Sequence, residues 1–150
     1  MYNMKIGLLK EGKIPADNRV ALTPAQCKWI MKNFPEVEIL VQHSETRCYK
    51  DSEYKQAGIA LTDDLSSCEI ILGIKEVPIS MLLPGKTYLF FSHTKKKQAY
   101  NQKLMHALMD KKITLIELLK DRISLTISIP FILGIVISDI ITSISLSLQI

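Results

Sequence analysis

Glycine is scarce in this 150-residue chain, and its six copies, Gly7, Gly12, Gly58, Gly73, Gly85 and Gly134, are scattered. No two lie two residues apart, so the sequence has no G-x-G-x-x-G turn and lacks the usual backbone cradle for a dinucleotide pyrophosphate. Cysteine is equally sparse. Cys27, Cys48 and Cys68 are odd in number, far apart, and have neither a C-x-x-C nor a histidine at ligand spacing. That excludes a disulfide framework and a zinc site, and it fits a reducing cytoplasm. The N-terminus has no long apolar core: Met1 to Asn18 carries Glu11 and Asp17 among its lysines, unlike a secretory leader. Aromatic residues are only 7% of the chain, and none interleaves with its single basic run, Lys95, Lys96 and Lys97. The net charge of +4 is therefore no footprint for nucleic acid.

Charge itself is missing from the end of the chain. All 19 Lys and Arg and 14 of the 15 Asp and Glu precede Ile123, leaving Asp139 alone among the last 28 residues. Those 28 residues hold ten Ile and six Ser, and apolar and small polar residues alternate over Ile123–Ile129 and Ile144–Ile150. Period-two alternation rich in Ile predicts strand over helix. The uncharged stretch from Ile123 to Ser138 is short for a membrane crossing, and Pro130 and Asp139 count further against one.

The body of the chain alternates strand and helix signals. Lys5–Leu9 reads as a buried strand and the Gly12–Asn18 stretch as a loop. Thr23, Pro24 and Gln26 then form a helix start with capping-box spacing, followed by an apolar stripe at Cys27, Ile30, Met31 and Phe34 that Pro35 ends. Strands are expected at Val37–Val41, Glu69–Ile74, Lys86–Phe91 and Ile113–Ile116, and helices at Asp51–Ala57 and Gln98–Met109. This order predicts an α/β fold, a mainly parallel open sheet flanked by helices.

In such a sheet, ligands bind outside the carboxyl ends of the strands. Three polar side chains fall there: Arg19 after the first strand, Lys75 after Ile74, and His93 two residues after Phe91. A guanidinium grips a carboxylate through paired N–H groups, a lysine polarises a carbonyl, and a histidine titrates near neutrality. Together they suit a small 2-oxo acid or amino acid. Taken one at a time, the bland readings are stronger: a surface bridge for Arg19, a partner such as Glu76 for Lys75, a satisfied loop histidine for His93. His43, His106, Cys27 and Tyr88 are assigned no role.

Four segments change that balance: Lys5-Ile-Gly-Leu-Leu-Lys-Glu11, Asn18-Arg-Val-Ala-Leu-Thr-Pro24, Ile71-Leu-Gly-Ile-Lys-Glu-Val-Pro78 and Phe90-Phe-Ser-His-Thr94. In order and spacing they resemble the N-terminal domain of the alanine dehydrogenase, saccharopine dehydrogenase and transhydrogenase family, over residues 4–116. The second pair looks closer to the saccharopine and lysine-ketoglutarate reductase branch. The resemblance implies a Rossmann- or flavodoxin-like substrate domain and NAD- or NADP-linked oxidative deamination. In it, Arg19 binds the substrate carboxylate, Lys75 serves as substrate ligand or acid/base, and His93 is the other acid/base group.

The family's second, dinucleotide-binding domain has no counterpart in these 150 residues. The expectation is therefore a substrate-side domain over 1–116 and an atypical Ile/Ser-rich tail over 117–150, of the kind a reading-frame change in AT-rich DNA produces. On this reading the chain alone binds no dinucleotide and turns nothing over, and its tail makes the full chain poorly soluble. The competing reading is a stand-alone module for small carboxylates, a homo-oligomer or the partner of a separate cofactor-binding chain.

Overall fold

Short strands that are apolar on both faces can be buried only in the middle of a sheet covered on each side. The computed structural model describes residues 3–12, 14, 15, 17–91 and 99–117, all within the unit Met1–Leu119. In it the strands are β1 (Met4–Leu8), β2 (Val37–Gln42), β3 (Ala60–Thr62), β4 (Ile70–Lys75), β5 (Thr87–Phe91) and β6 (Thr114–Glu117). They form one sheet in the order β3-β2-β1-β4-β5-β6, and every neighbouring pair is parallel. The chain winds outward from β1 through β2 to β3, crosses back to β4, and winds the other way. This is the doubly wound order of a Rossmann sheet, as opposed to the flavodoxin-like one. His93 and the whole of 118–150 lie outside the described residues, and with them the expectations about the tail.

The central strands explain why the sheet holds. β4 is buried at every position from Ile70 to Ile74. In register with it, Ile6 and Ile39 bury the face that Ile70 shares, while Gly7 and Leu40 share the face of Ile71. On that second face Leu65, Cys68, Ile71, Tyr88, Phe90 and Leu104 make one core, each large apolar side chain contributing roughly 1.5–3 kcal/mol. Gly7 permits the close approach. A Cβ there would stand 3.0 Å from Leu65 Cδ2 and 3.1 Å from Cys68 Sγ, so the turn before β4 lies directly against β1.

Helix α1 (Pro24–Asn33) begins as expected. Gln26 N–H donates to Thr23 Oγ1 at 3.2 Å and Thr23 N–H to Gln26 Oε1 at 2.8 Å, and Cys27 and Ile30 are buried. Helices α2 (Asp51–Gln56) and α3 (Ala99–Asp110) end in the same motif. In α2, Gly58 N–H donates to the Lys55 carbonyl and Ile59 N–H to that of Tyr54; in α3, Lys112 donates to Met109 and Ile113 to Leu108. Both motifs need a left-handed residue just past the helix. Gly58 fills that place in α2 with φ 82°, whereas Lys112 fills it in α3 with φ 53°.

Expected and observed elements agree to within a residue or two at their ends, except that strand β3 has no sequence signal; the passage from β4 to β5, for which no helix is expected, contains a short 3-10 turn, Ile79–Met81. Lys75 is the last residue of β4, one position inside the strand end expected for it. Among the described residues no helix is long and apolar enough to cross a membrane.

Candidate functional site

The sheet reverses its winding between β1 and β4, and the crevice outside their carboxyl ends is where a doubly wound fold binds ligands. The loop after β1 and the last residue of β4 both open there. Leu8, Lys10, Glu11, Asp17, Arg19 and Arg47 are among the residues that line an open cleft there.

Asp17 is its hub. It is buried, with its side chain 8% exposed, and it accepts from three Arg19 nitrogens, Nε reaching Oδ2 as well at 3.2 Å. Arg19 backbone N–H reaches Oδ1 at 3.0 Å, Nε reaches Oδ1 at 3.0 Å, and Nη2 reaches Oδ2 at 2.6 Å. Lys75 Nζ approaches the same Oδ2 at 3.5 Å. The Arg19 hydrogen bonds hold the Asp17 carboxyl well below its ordinary range, with Lys75 adding to the effect, and the same pairing pushes the guanidinium up. The fold thus brings Arg19 and Lys75, 56 residues apart in sequence, to one carboxylate. Arg19 remains 57% and Lys75 33% exposed, so neither cation is closed off from solvent, and Arg19 itself lines the cleft.

Glu11 forms the floor. Its carboxylate accepts from the backbone N–H of Ile74 at 2.6 Å and of Lys75 at 3.0 Å. Burial pushes the Glu11 pKa up, and the two amide bonds only partly offset that.

A second cluster stands at the end of β2. Arg47 is nearly buried and each of its three nitrogens is already engaged: Nε and Nη1 donate to the carbonyls of Tyr49 and Gln42 at 2.9 and 2.8 Å, Nη2 pairs with Asp51, and the guanidinium stacks over the Tyr54 ring at 4.5 Å. His43 Nδ1 lies 2.8 Å from Asp51 Oδ2. Burial of Asp51 works to raise its pKa, but His43, the Ser44 amide and Arg47 outweigh that and lower it. Arg47 therefore shapes the wall of the cleft, and His43, for which the sequence offered no partner, is tied to the start of α2.

Sequence reasoning placed Arg19 and Lys75 at strand ends, and the structure joins them. It missed Asp17 and Glu11, which in sequence are two acids in a basic loop. The legible signal was the Asp17-x-Arg19 spacing, which lets an aspartate accept from the amide two residues on. His93 lies outside the described residues, so its distance from this group is not defined.

The start of α1 lacks two of the backbone donors that hold a pyrophosphate at a helix N-terminus. The helix that follows β1 begins at Pro24, which has no N–H, and its third donor, Gln26 N–H, is taken by Thr23. A pyrophosphate site needs those donors free. Among the described residues, no group of three His, Cys, Asp or Glu is placed to hold a metal ion.

Known proteins resemble this chain in sequence and in fold. Residues 7–123 match the family described as alanine dehydrogenase/PNT, N-terminal domain. The alpha-aminoadipic semialdehyde synthase of Arabidopsis thaliana is 36% identical over 117 residues, which are 75% of this chain and 11% of that protein. The saccharopine dehydrogenase [NAD(+), L-lysine-forming] of Emericella nidulans is 32% identical over 70% of this chain and 29% of its own length. The solved transhydrogenase from Sinorhizobium meliloti shares the fold with a TM-score of 0.63 at 18% identity, over 75% of this chain and 34% of that one. The chain thus spans between a tenth and a third of the length of the proteins it is similar to. Motifs, strand order and family match coincide over the same residues, and the chain belongs to the alanine dehydrogenase/PNT N-terminal domain family.

Proposed function

We propose that the sheet domain ending with β6 at Glu117 forms the substrate-side domain of an NAD- or NADP-linked amino-acid dehydrogenase of the saccharopine and lysine branch, with the Ile/Ser-rich segment from Ile123 onward outside it. The observation that carries this reading is the convergence of Arg19 and Lys75 on one carboxylate at the β1/β4 crevice. Two cations held there favour a second carboxylate arriving from solvent, and a guanidinium with one edge fixed by Asp17 keeps its other edge in a defined orientation.

In this reading Arg19 binds the carboxylate of a small 2-oxo acid or amino acid. Lys75 holds or polarises the neighbouring carbonyl or imine, and His93 is the second acid/base group. The reaction is oxidative deamination in its reversible form: a C–N centre loses hydride to the nicotinamide, and these side chains manage the protons. The dinucleotide comes from another domain of the same protein or from a partner chain, and the sheet domain binds none by itself. Cys27, Cys48 and Cys68 are free, which suits a reducing, cytoplasmic setting.

Calorimetric titration of the full chain with 2-oxoglutarate tests the proposal. Saturable binding is expected, and Arg19→Ala should weaken it at least about tenfold, the scale of losing a charge-assisted pair. Equal affinity in wild type and Arg19→Ala would refute the assignment.

A further inference from the structure

Strands β1 and β4 do not end together. Their ladder closes with Leu9 N–H donating to the Leu72 carbonyl at 2.9 Å, after which the chain leaves for the long loop while β4 continues to Lys75. A β1 that ran on would offer a carbonyl to the next amide of β4. None is there. On its other side β4 changes register against β5 between Leu72 and Lys75, and at this irregularity the Ile74 and Lys75 amides both turn to one acceptor group. The result is a pair of adjacent donors, Ile74 and Lys75, at the strand end that carries the Lys75 amine.

One side chain answers both. Glu11 presents Oε1 to Ile74 N–H and Oε2 to Lys75 N–H, so its carboxylate takes the place of the absent strand. The carboxylate lies beside Gly73, where a Cβ would meet Glu11 Oε1 at 3.7 Å, an ordinary contact. Glu11 reaches 63 residues along the chain to make these bonds. The Lys75 amine itself is engaged elsewhere, by Asp17, so Glu11 acts on Lys75 through its backbone.

We propose that Glu11 is a positioning residue for the Lys75 amine: by clamping the two amides at the irregular end of β4, its carboxylate sets where Nζ meets Asp17 and an incoming 2-oxo acid. This rests on the reading of Lys75 as a substrate-side group, but its geometric core can be tested without any ligand. The resulting site is a carboxylate subsite with its lysine held from behind by one part-buried acid.

The test uses the full chain with its lysines converted to their ¹³C-dimethyl forms, the Lys75 signal being assigned by its loss in Lys75→Arg. In Glu11→Gln one of the two amides faces an NH₂ group where it had an acceptor. The Lys75 resonance is expected to move while those of the other lysines stay in place, which a general loss of stability would not produce. Titration with 2-oxoglutarate should then show affinity about tenfold weaker than wild type, the scale of one lost acceptor. A Lys75 signal unmoved in Glu11→Gln overturns the proposal. Should Glu11→Gln fail to fold, Glu11→Asp, one methylene too short to reach both amides, gives the same reading. If wild type binds no 2-oxoglutarate but the signal still moves, the proposed function falls and the positioning role stands.

Discussion

Replacing Asp17 by Asn keeps the shape of the hub of the crevice and removes its charge. The Oδ1 acceptor remains for Arg19 N–H and Nε, while the new Nδ2 faces Nη2 across the 2.6 Å that now holds a charge-assisted bond. Because Asp17 is buried and Arg19 is 57% exposed, solvent screening limits the ionic contribution to about 1 kcal/mol. Its pH dependence has a definite sign. The folded-state pKa of Asp17 lies below the ordinary value of 3.8, so its contribution is fully present above that value and is lost as pH falls below it. Urea unfolding of wild type and Asp17→Asn across pH 7 to 2.5 measures this directly. The wild type should be the more stable at pH 7, and the gap should narrow by about 1 kcal/mol on going below pH 4. Titrating groups that do not face Asp17 are common to both proteins and drop out of the difference, whereas Glu11, pushed up in part by the Asp17 charge, moves down in Asp17→Asn. A gap that stays constant over the whole range would refute the placement of an ionised Asp17 between Arg19 and Lys75.

Two further substitutions probe the scaffold. Lys112→Gly should stabilise the fold by about 0.5–1 kcal/mol in thermal unfolding, because a left-handed residue past α3 strains a lysine and suits glycine; a loss of stability would contradict the motif. Tyr54→Phe removes the 2.7 Å hydrogen bond to the Leu22 carbonyl and should cost about 1–2 kcal/mol, with no cost expected only if that bond is absent.

The sequence was legible where one physical signal sufficed. The helix start at Thr23 to Gln26 needs no tertiary information, and β4 declares itself by being apolar on both faces. Strand β3 was hidden because Ala60, Leu61 and Thr62 make three residues at a sheet edge, only part-buried, too short to show any period. Strand order was hidden too, since a βαβ pattern fixes handedness but not the point at which winding reverses. At the site, Arg19 and Lys75 could be placed by the strand-end rule. Asp17 and Glu11 could not, because their partners are set by how far β4 outlasts β1, and nothing in the loop composition encodes that length. His43 and Asp51 meet only because α2 turns back beside the end of β2.

The self-capped start of α1 changes what can be altered at this crevice. A phosphate cradle made of backbone N–H groups is fixed by the fold, and no side-chain substitution reverses its preference for anions. Here Pro24 and Thr23 withdraw those donors, and the polarity of the crevice rests on Lys10, Glu11, Asp17, Arg19 and Lys75, each replaceable by a single codon change. The same sheet can therefore be re-addressed to ligands of different charge without disturbing a strand, which makes ligand choice the most evolvable property of this domain and its topology the least.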